Sequence, residues 1–150
     1  LSAGRDPHEL EVIARLHVVV DDDLKRARDV IRKLFAPYVA TQGYNKFFRW
    51  IGHEKAAQGV LDGFRAKDRA KVANAMTDEI CDAIGVSGSL DRVRSRIQAY
   101  AKLGVDVCVI NPVTSDARTQ RNTLLKLVDC LYGLELRSRG VMRSQEAAGG

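Results

Sequence analysis

Few side chains in this chain have chemistry to offer, and they lie far apart. His17 sits in IARLHVVV two positions after Arg15, and Asp21, Asp22 and Asp23 follow. Tyr44, Phe47, Phe48 and Trp50 crowd GYNKFFRWIG, Ser87, Gly88 and Ser89 precede an apolar stripe, and Asn111 precedes Pro112. An imidazole exchanges a proton near neutrality. Bunched aromatic side chains wall a pocket for a planar ring, or else fill a core. Backbone amides at Gly88 and Ser89 would meet a phosphate if a helix starts there. GVSGSLDR lacks the Gly-Lys-Ser/Thr ending of a Walker loop, however, and serves equally as a plain helix cap. Three consecutive carboxylates invite a metal, but Mg²⁺ or Ca²⁺ needs convergent oxygens at loop spacing. Acids at a helix start are explained by capping and the macrodipole instead. His53, just past Gly52, has no partner at metal-ligand spacing and reads as a surface or capping histidine. No metal site is expected.

These residues need elements to hold them. Ile13 to Val20 alternates as a strand, with Ala14, Leu16, Val18 and Val20 on one face and Ile13, Arg15, His17 and Val19 on the other. Arg15 and His17 on that second face either enter a pocket or pair with carboxylates within the layer. A helix is predicted from Leu24 to about Ala40, with Leu24, Ala27, Ile31, Leu34, Phe35 and Tyr38 on one side and Pro37 ending or kinking it. Short helical pieces follow through Met76, and another helix opens at Thr77, Asp78 and Glu79. Val86 and Ser87 suit a very short strand. Leu90, Val93, Ile97, Tyr100 and Ala101 then recur at i, i+3, i+7, i+10 and i+11, which draws one buried helix face. Ser89 is its expected N-cap and Gly104 its left-handed stop. Val105 to Ile110 is apolar except for Asp106 and predicts a strand covered on both faces of a parallel sheet. The loop around Asn111 becomes a candidate site edge, because α/β folds gather ligands at the carboxyl ends of strands. A last helix carries Leu124, Leu127, Val128 and Leu131 on one stripe.

Length and charge narrow the classes. At 150 residues one domain is expected, and a domain of that size buries roughly 70% of its unfolded surface. A closed (β/α)₈ barrel needs roughly 200 residues at the least. Leu1 in place of Met, followed by polar LSAGRDPHE, suggests a preceding portion or a cleaved leader. No apolar run approaches the roughly 18 to 20 residues that span a bilayer, so no membrane partner is expected. Cys81, Cys108 and Cys130 are odd in number and far apart, which fits inert thiols in a reducing cytoplasm better than disulfides. The net charge of +5 is interleaved with acids and brings no nucleic-acid motif with it, so no nucleic-acid partner is expected. Basic residues concentrate in the tail, residues 137–150, which reads as flexible; residues 1–136 read as the folded unit.

Several segments resemble, in order, the carboxyl-terminal part of the luciferase-like monooxygenase superfamily, and within it the oxidoreductases that use the deazaflavin coenzyme F-420. AGRDPHELEVIARLHVVVDDDLKRARDVIR is similar to a late strand and its following helix. YNKFFRWIG is similar to a Tyr, paired-Phe and Gly segment, and MTDEICDAIGVSGSLDRVRSRIQAYAKLGVDVCVINP to the last helix and strand. The family's Gly-Thr-Pro turn is Gly88-Ser89-Leu90 here, which keeps the cap and loses the proline. The resemblance implies the carboxyl-terminal part of a (β/α)₈ TIM barrel, helix-rich and incomplete, in which Gly85 to Pro112 is the closing stave. It implies an enzyme that transfers hydride between coenzyme F-420 and an organic small molecule, with an FMN-dependent monooxygenase as the alternative. On this reading Ser87, Gly88 and Ser89 contact the cofactor, and His17, Tyr44, Phe47 and Asn111 line the substrate pocket. The resemblance also implies that the coenzyme is held mostly by earlier strands and loops, so that most of the cofactor site, together with the catalytic residues, would lie upstream of Leu1.

The other class of reading is a non-catalytic α/β assembly or binding module. A partial barrel has exposed edges that favour a homo-oligomer, a dimer in the simplest case.

Overall fold

The computed structural model describes residues 10–114 and 117–131, together with Gly4. The expected tail at 137–150 lies outside the described residues. The chain runs β1 (Ile13–Val20), α1 (Leu24–Val39), α2 (Gln42–Trp50), α3 (Glu54–Arg65), α4 (Arg69–Ala75), α5 (Asp78–Ile84), β2 (Gly85–Gly88), α6 (Leu90–Lys102), β3 (Val107–Pro112) and α7 (Ala117–Leu131).

The element ends follow local chemistry. Asp23 caps α1, its Oδ1 accepting from the amides of Lys25 at 2.9 Å and Arg26 at 3.2 Å, which accounts for one of the three carboxylates. Asp21 is held by the Arg26 guanidinium instead. Ser89 caps α6 through the Arg92 amide, and Gly104 takes φ +94° just beyond that helix, as a left-handed stop requires. Helix α1 runs two residues past Pro37 and ends there.

All strand pairs are parallel, and β1 is central: the order is β2-β1-β3. A barrel wall built in succession would set β3 beside β2. Here β3 takes the other edge of β1, whose amides and carbonyls would otherwise lack a ladder partner. Gly85 to Pro112 is therefore not a closing stave in this chain but wraps across β1.

Both sheet faces are covered, by separate cores. Leu16 and Val18 of β1 and Val86 of β2 pack with Val93 and Ile97 of α6 and Leu127 of α7. Val19 turns the other way, onto Ala27, Ile31 and Val39 of α1, Phe48 of α2, Ala57 and Val60 of α3, and Ile80 and Cys81 of α5. Each fully buried Val or Ile contributes about 1.5 to 3 kcal/mol relative to exposure. The buried Cys81 thiol is pushed up to about 11 by desolvation, so it stays protonated and inert at neutral pH. All three cysteines are free, with Cys108 and Cys130 half-buried.

Three pattern expectations change. The β3 strand was expected to be covered on both faces, but Val107 and Val109 are exposed while Cys108 and Ile110 meet the core, because among the described residues α6 and α7 cover β3 from one face. Leu34 and Tyr38 lie half in solvent, since α1 turns its Ala27, Ile31 and Val39 line inward and leaves their side at a rim. On α7 the buried residues are Thr123 and Leu127, and Leu124 and Val128 face out.

Arginines on α1 hold α5, and with it β2, in place. Arg28 grips Asp82 through two nitrogens, at 3.1 and 2.6 Å, and reaches Asp78 at 2.7 Å. Arg32 bonds Asp78 and the Met76 carbonyl. Arg92 of α6 adds a third arginine contact to this acid pair, at Asp82.

Candidate functional site

The sheet register brings His17 opposite Asn111 on one side and Gly85 on the other. Neighbouring parallel strands lie about 4.8 Å apart, so side chains two strands distant in sequence become direct neighbours. Asn111 Nδ2 lies 2.9 Å from His17 Nδ1. With the amide donating, Nδ1 acts as the acceptor and the proton of the neutral ring sits on Nε2. Desolvation by burial, and then the positive charge of Arg15, hold the His17 pKa below its ordinary value of 6.5. The neutral form is the one this environment favours.

A cavity of about 680 Å³ opens beside this pair. That volume is within the range of small-molecule sites. Arg15 and His17 line it from β1, Phe35 and Tyr38 from α1, Tyr44 and Phe47 from α2, and Asn111 and Thr114 from β3 and the residues after it. The rings form a connected wall. His17 to Phe35 is 4.8 Å between centroids, Phe35 to Tyr38 5.8 Å, and Tyr38 to Tyr44 6.1 Å in an edge-on arrangement.

Helix α2 is held at this wall by one buried amide. Asn45, 6% exposed, donates to the carbonyl of Val39 at 3.1 Å and of Ala57 at 2.7 Å, pinning α2 between α1 and α3. Phe48 points inward at 7% exposure, whereas Tyr44, Phe47 and Trp50 are 54, 47 and 82% exposed. The competing core role for the aromatic cluster holds for Phe48 alone. Of the exposed three, Tyr44 and Phe47 line the cavity. His53 occupies the N-cap position of α3 without a side-chain cap bond and leans towards Phe48.

The structure thus brings His17, Tyr44, Phe47 and Asn111 to one cavity and keeps Ser87, Gly88 and Ser89 apart from it. Ser87 pairs with Val19, two residues further along the sheet than the His17 level. Its hydroxyl is buried and has no hydrogen-bond partner among the described residues. Gly88 has φ +126°, and a Cβ there would come within 2.6 Å of Arg92 Cδ. The Arg92 side chain lies over this turn and donates from Nε to the Ser87 carbonyl at 3.0 Å. Phe35 and Tyr38 are pocket residues that the pattern reading assigned to a core stripe. Their stripe was wider than one sheet contact needs, and that width was the available signal. Among the described residues, no group of three or more His, Cys, Asp or Glu is arranged to hold a metal ion. No helix among them is long and apolar enough to cross a membrane.

A parallel α/β sheet with an aromatic, hydrogen-bonding cavity on one face, at the middle of β1 and the end of β3, defines a class of small-molecule site, and comparison with known proteins places the chain within a family. Residues 2–107 match the family model described as luciferase-like monooxygenase, and the chain belongs to that family of oxidoreductases. The family fold is a TIM barrel, and a helix-rich α/β chain with three parallel strands is consistent with part of one. The chain is 26% identical over 132 residues to a Mycobacterium tuberculosis protein named as a coenzyme F420-dependent oxidoreductase, covering 84% of this chain and 37% of that protein. It is 30% identical over 121 residues to the 5,10-methylenetetrahydromethanopterin reductase of Archaeoglobus fulgidus, covering 77% and 36%. The reductase of the same name from Methanolobus tindarius is 28% identical over 105 residues, covering 69% and 32%. The chain thus spans about a third of the length of these curated relatives. No solved structure matches it.

Proposed function

We propose that this chain forms part of a luciferase-like oxidoreductase that moves a hydride between the deazaflavin coenzyme F-420 and an organic substrate. The observation that carries this reading is the cavity, where an aromatic wall faces a histidine and an asparagine held in register. Similarity to a relative named for coenzyme F420 favours that coenzyme over FMN. The cavity fits a flat organic substrate: the rings of Phe35, Tyr38 and Tyr44 offer stacking area, and the His17 and Asn111 pair offers hydrogen bonds. When bound, the coenzyme supplies the hydride chemistry. His17, Asn111, Tyr44 and Phe47 bind and orient the substrate beside it, and the apolar rim excludes water. Ser87, Gly88 and Ser89 are assigned to the coenzyme by the resemblance alone: they lie apart from the cavity, and the Arg92 side chain covers their turn. The enzyme works in the cytoplasm as a homodimer, in keeping with the strand edges of β2 and β3 that lack a neighbour among the described residues.

Fluorescence titration of the purified chain tests this reading. Coenzyme F-420 is expected to be quenched on binding and FMN less so. No response to either coenzyme, or a stronger response to FMN, contradicts it.

A further inference from the structure

We infer that the cavity takes an organic anion, with a conjugated body lying against the rings and a carboxylate or phosphate meeting the guanidinium of Arg15. This rests on the cavity being the substrate pocket and adds the substrate's charge class. Three observations carry it. Arg15, an exposed residue, lines the rim of the cavity from the same face of β1 as His17, about 7 Å along the strand. Among the described residues, no Asp or Glu lines that cavity, and no acid forms a salt bridge with Arg15. The arginines of α1, which lines the cavity, are spent on carboxylates or carbonyls, as Arg26, Arg28 and Arg32 show.

The sheet neighbours of Arg15 at this exposed rim are apolar side chains. Its register partner is Val109, exposed at 46%, and Ile13 on the same face is exposed at 58%. A guanidinium on an apolar sheet face without an acid is poised for a planar anion, which it meets with two parallel N–H bonds. The depressed pKa of His17, caused in part by Arg15, is a second trace of the same field. The groups facing His17 are Arg15 on β1, Phe35 on α1 and Asn111 on β3, with Tyr38 and Tyr44 the other titratable groups on the wall. None of them is an acid. Charge recognition here falls to Arg15 and ring recognition to the aromatics, so the two can be separated by substitution.

The test uses one ring system in two charge states, 2-naphthoate and its neutral amide 2-naphthamide. Both are titrated into the full ¹⁵N-labelled chain and followed by amide shifts around His17 and Asn111. Naphthoate should bind roughly three- to tenfold more tightly, the range expected for a partly exposed charge pair. Arg15→Gln should abolish that preference while leaving naphthamide affinity unchanged, and Arg121→Gln, at an exposed position of α7 away from the cavity, should leave the preference intact. Naphthoate should also raise the His17 pKa in the native chain and not in Arg15→Gln. Equal binding of the two probes, failure of both to bind, or a preference that survives Arg15→Gln overturns the inference. Loss of coenzyme binding with the naphthoate preference intact would sink the coenzyme reading alone.

Discussion

Asn111 Nδ2 sits 2.9 Å from His17 Nδ1 because β3 pairs in parallel with β1 at a register that sets the two residues side by side. The contact ties two segments separated by 94 positions into one wall of the cavity. It also stabilises the neutral imidazole, since a donating amide opposes a second proton on Nδ1.

A pH dependence follows. The folded-state pKa of His17 is lowered, so the unfolded chain takes up the proton first and stability rises with pH across the window between the two values. The contribution is fully present above about 6.5, the unfolded value, and declines as the pH falls towards the folded pKa. Urea unfolding midpoints should drop between pH 7.5 and 5.5 by more in the native chain than in His17→Gln. Arg15→Gln should move the imidazole titration upward and leave it below 6.5, because desolvation is the larger cause. An NMR titration of the ring checks both.

The aromatic cluster should divide by role. Phe48→Ala empties a buried site and should cost about 3 to 5 kcal/mol. Tyr44→Ala and Phe47→Ala remove side chains that are about half exposed, and each should cost less than about 1 kcal/mol while weakening ligand binding. Thermal unfolding beside ligand titration separates the two effects. Equal destabilisation by Phe47→Ala and Phe48→Ala would return the whole cluster to the core.

Asn45 should matter more than its type suggests. Asn45→Leu keeps the volume but leaves the carbonyls of Val39 and Ala57 without that donor, each a loss of about 1 to 3 kcal/mol. Hydrogen exchange should then speed up throughout α2 and not in α6.

Gly85 marks a close approach of β2 to α1. A Cβ there would meet Ile31 Cδ1 at 2.7 Å and the His17 carbonyl at 3.1 Å, so Gly85→Ala should cost about 1 to 3 kcal/mol by overpacking. Adding Ile31→Val removes the clashing methyl and should recover part of the loss. Strict additivity of the two costs in calorimetry would show that the pair does not touch.

The limits of sequence reading are visible in particular residues. The β1 bounds, the Asp23 and Ser89 caps and the Gly104 stop were legible because each is a local preference of a few residues. The side of β1 that carries Arg15 and His17 was legible too, from period-two alternation. The strand order was not. Which edge of β1 receives β3 depends on which pairing partners are present, and nothing in Val105 to Pro112 encodes that choice. Exposure of Val107, Val109 and Leu34 was missed for the same reason: an apolar residue signals burial only where an element arrives to cover it. The cavity wall was half legible. Tyr44 and Phe47 stood out by crowding, whereas Phe35 and Tyr38 were hidden in a helix stripe, and Asn45 looked like an ordinary polar residue on a short helix.

The relation between His17 and Asn111 is the central claim, and cross-strand contacts measure it most directly. A NOESY spectrum of the labelled full chain should show backbone contacts from His17 to Asn111 and from Ala14 to Cys108, alongside those from Val18 to Val86. Contacts of β3 with β2, and none with β1, would separate His17 from Asn111 and contradict the site.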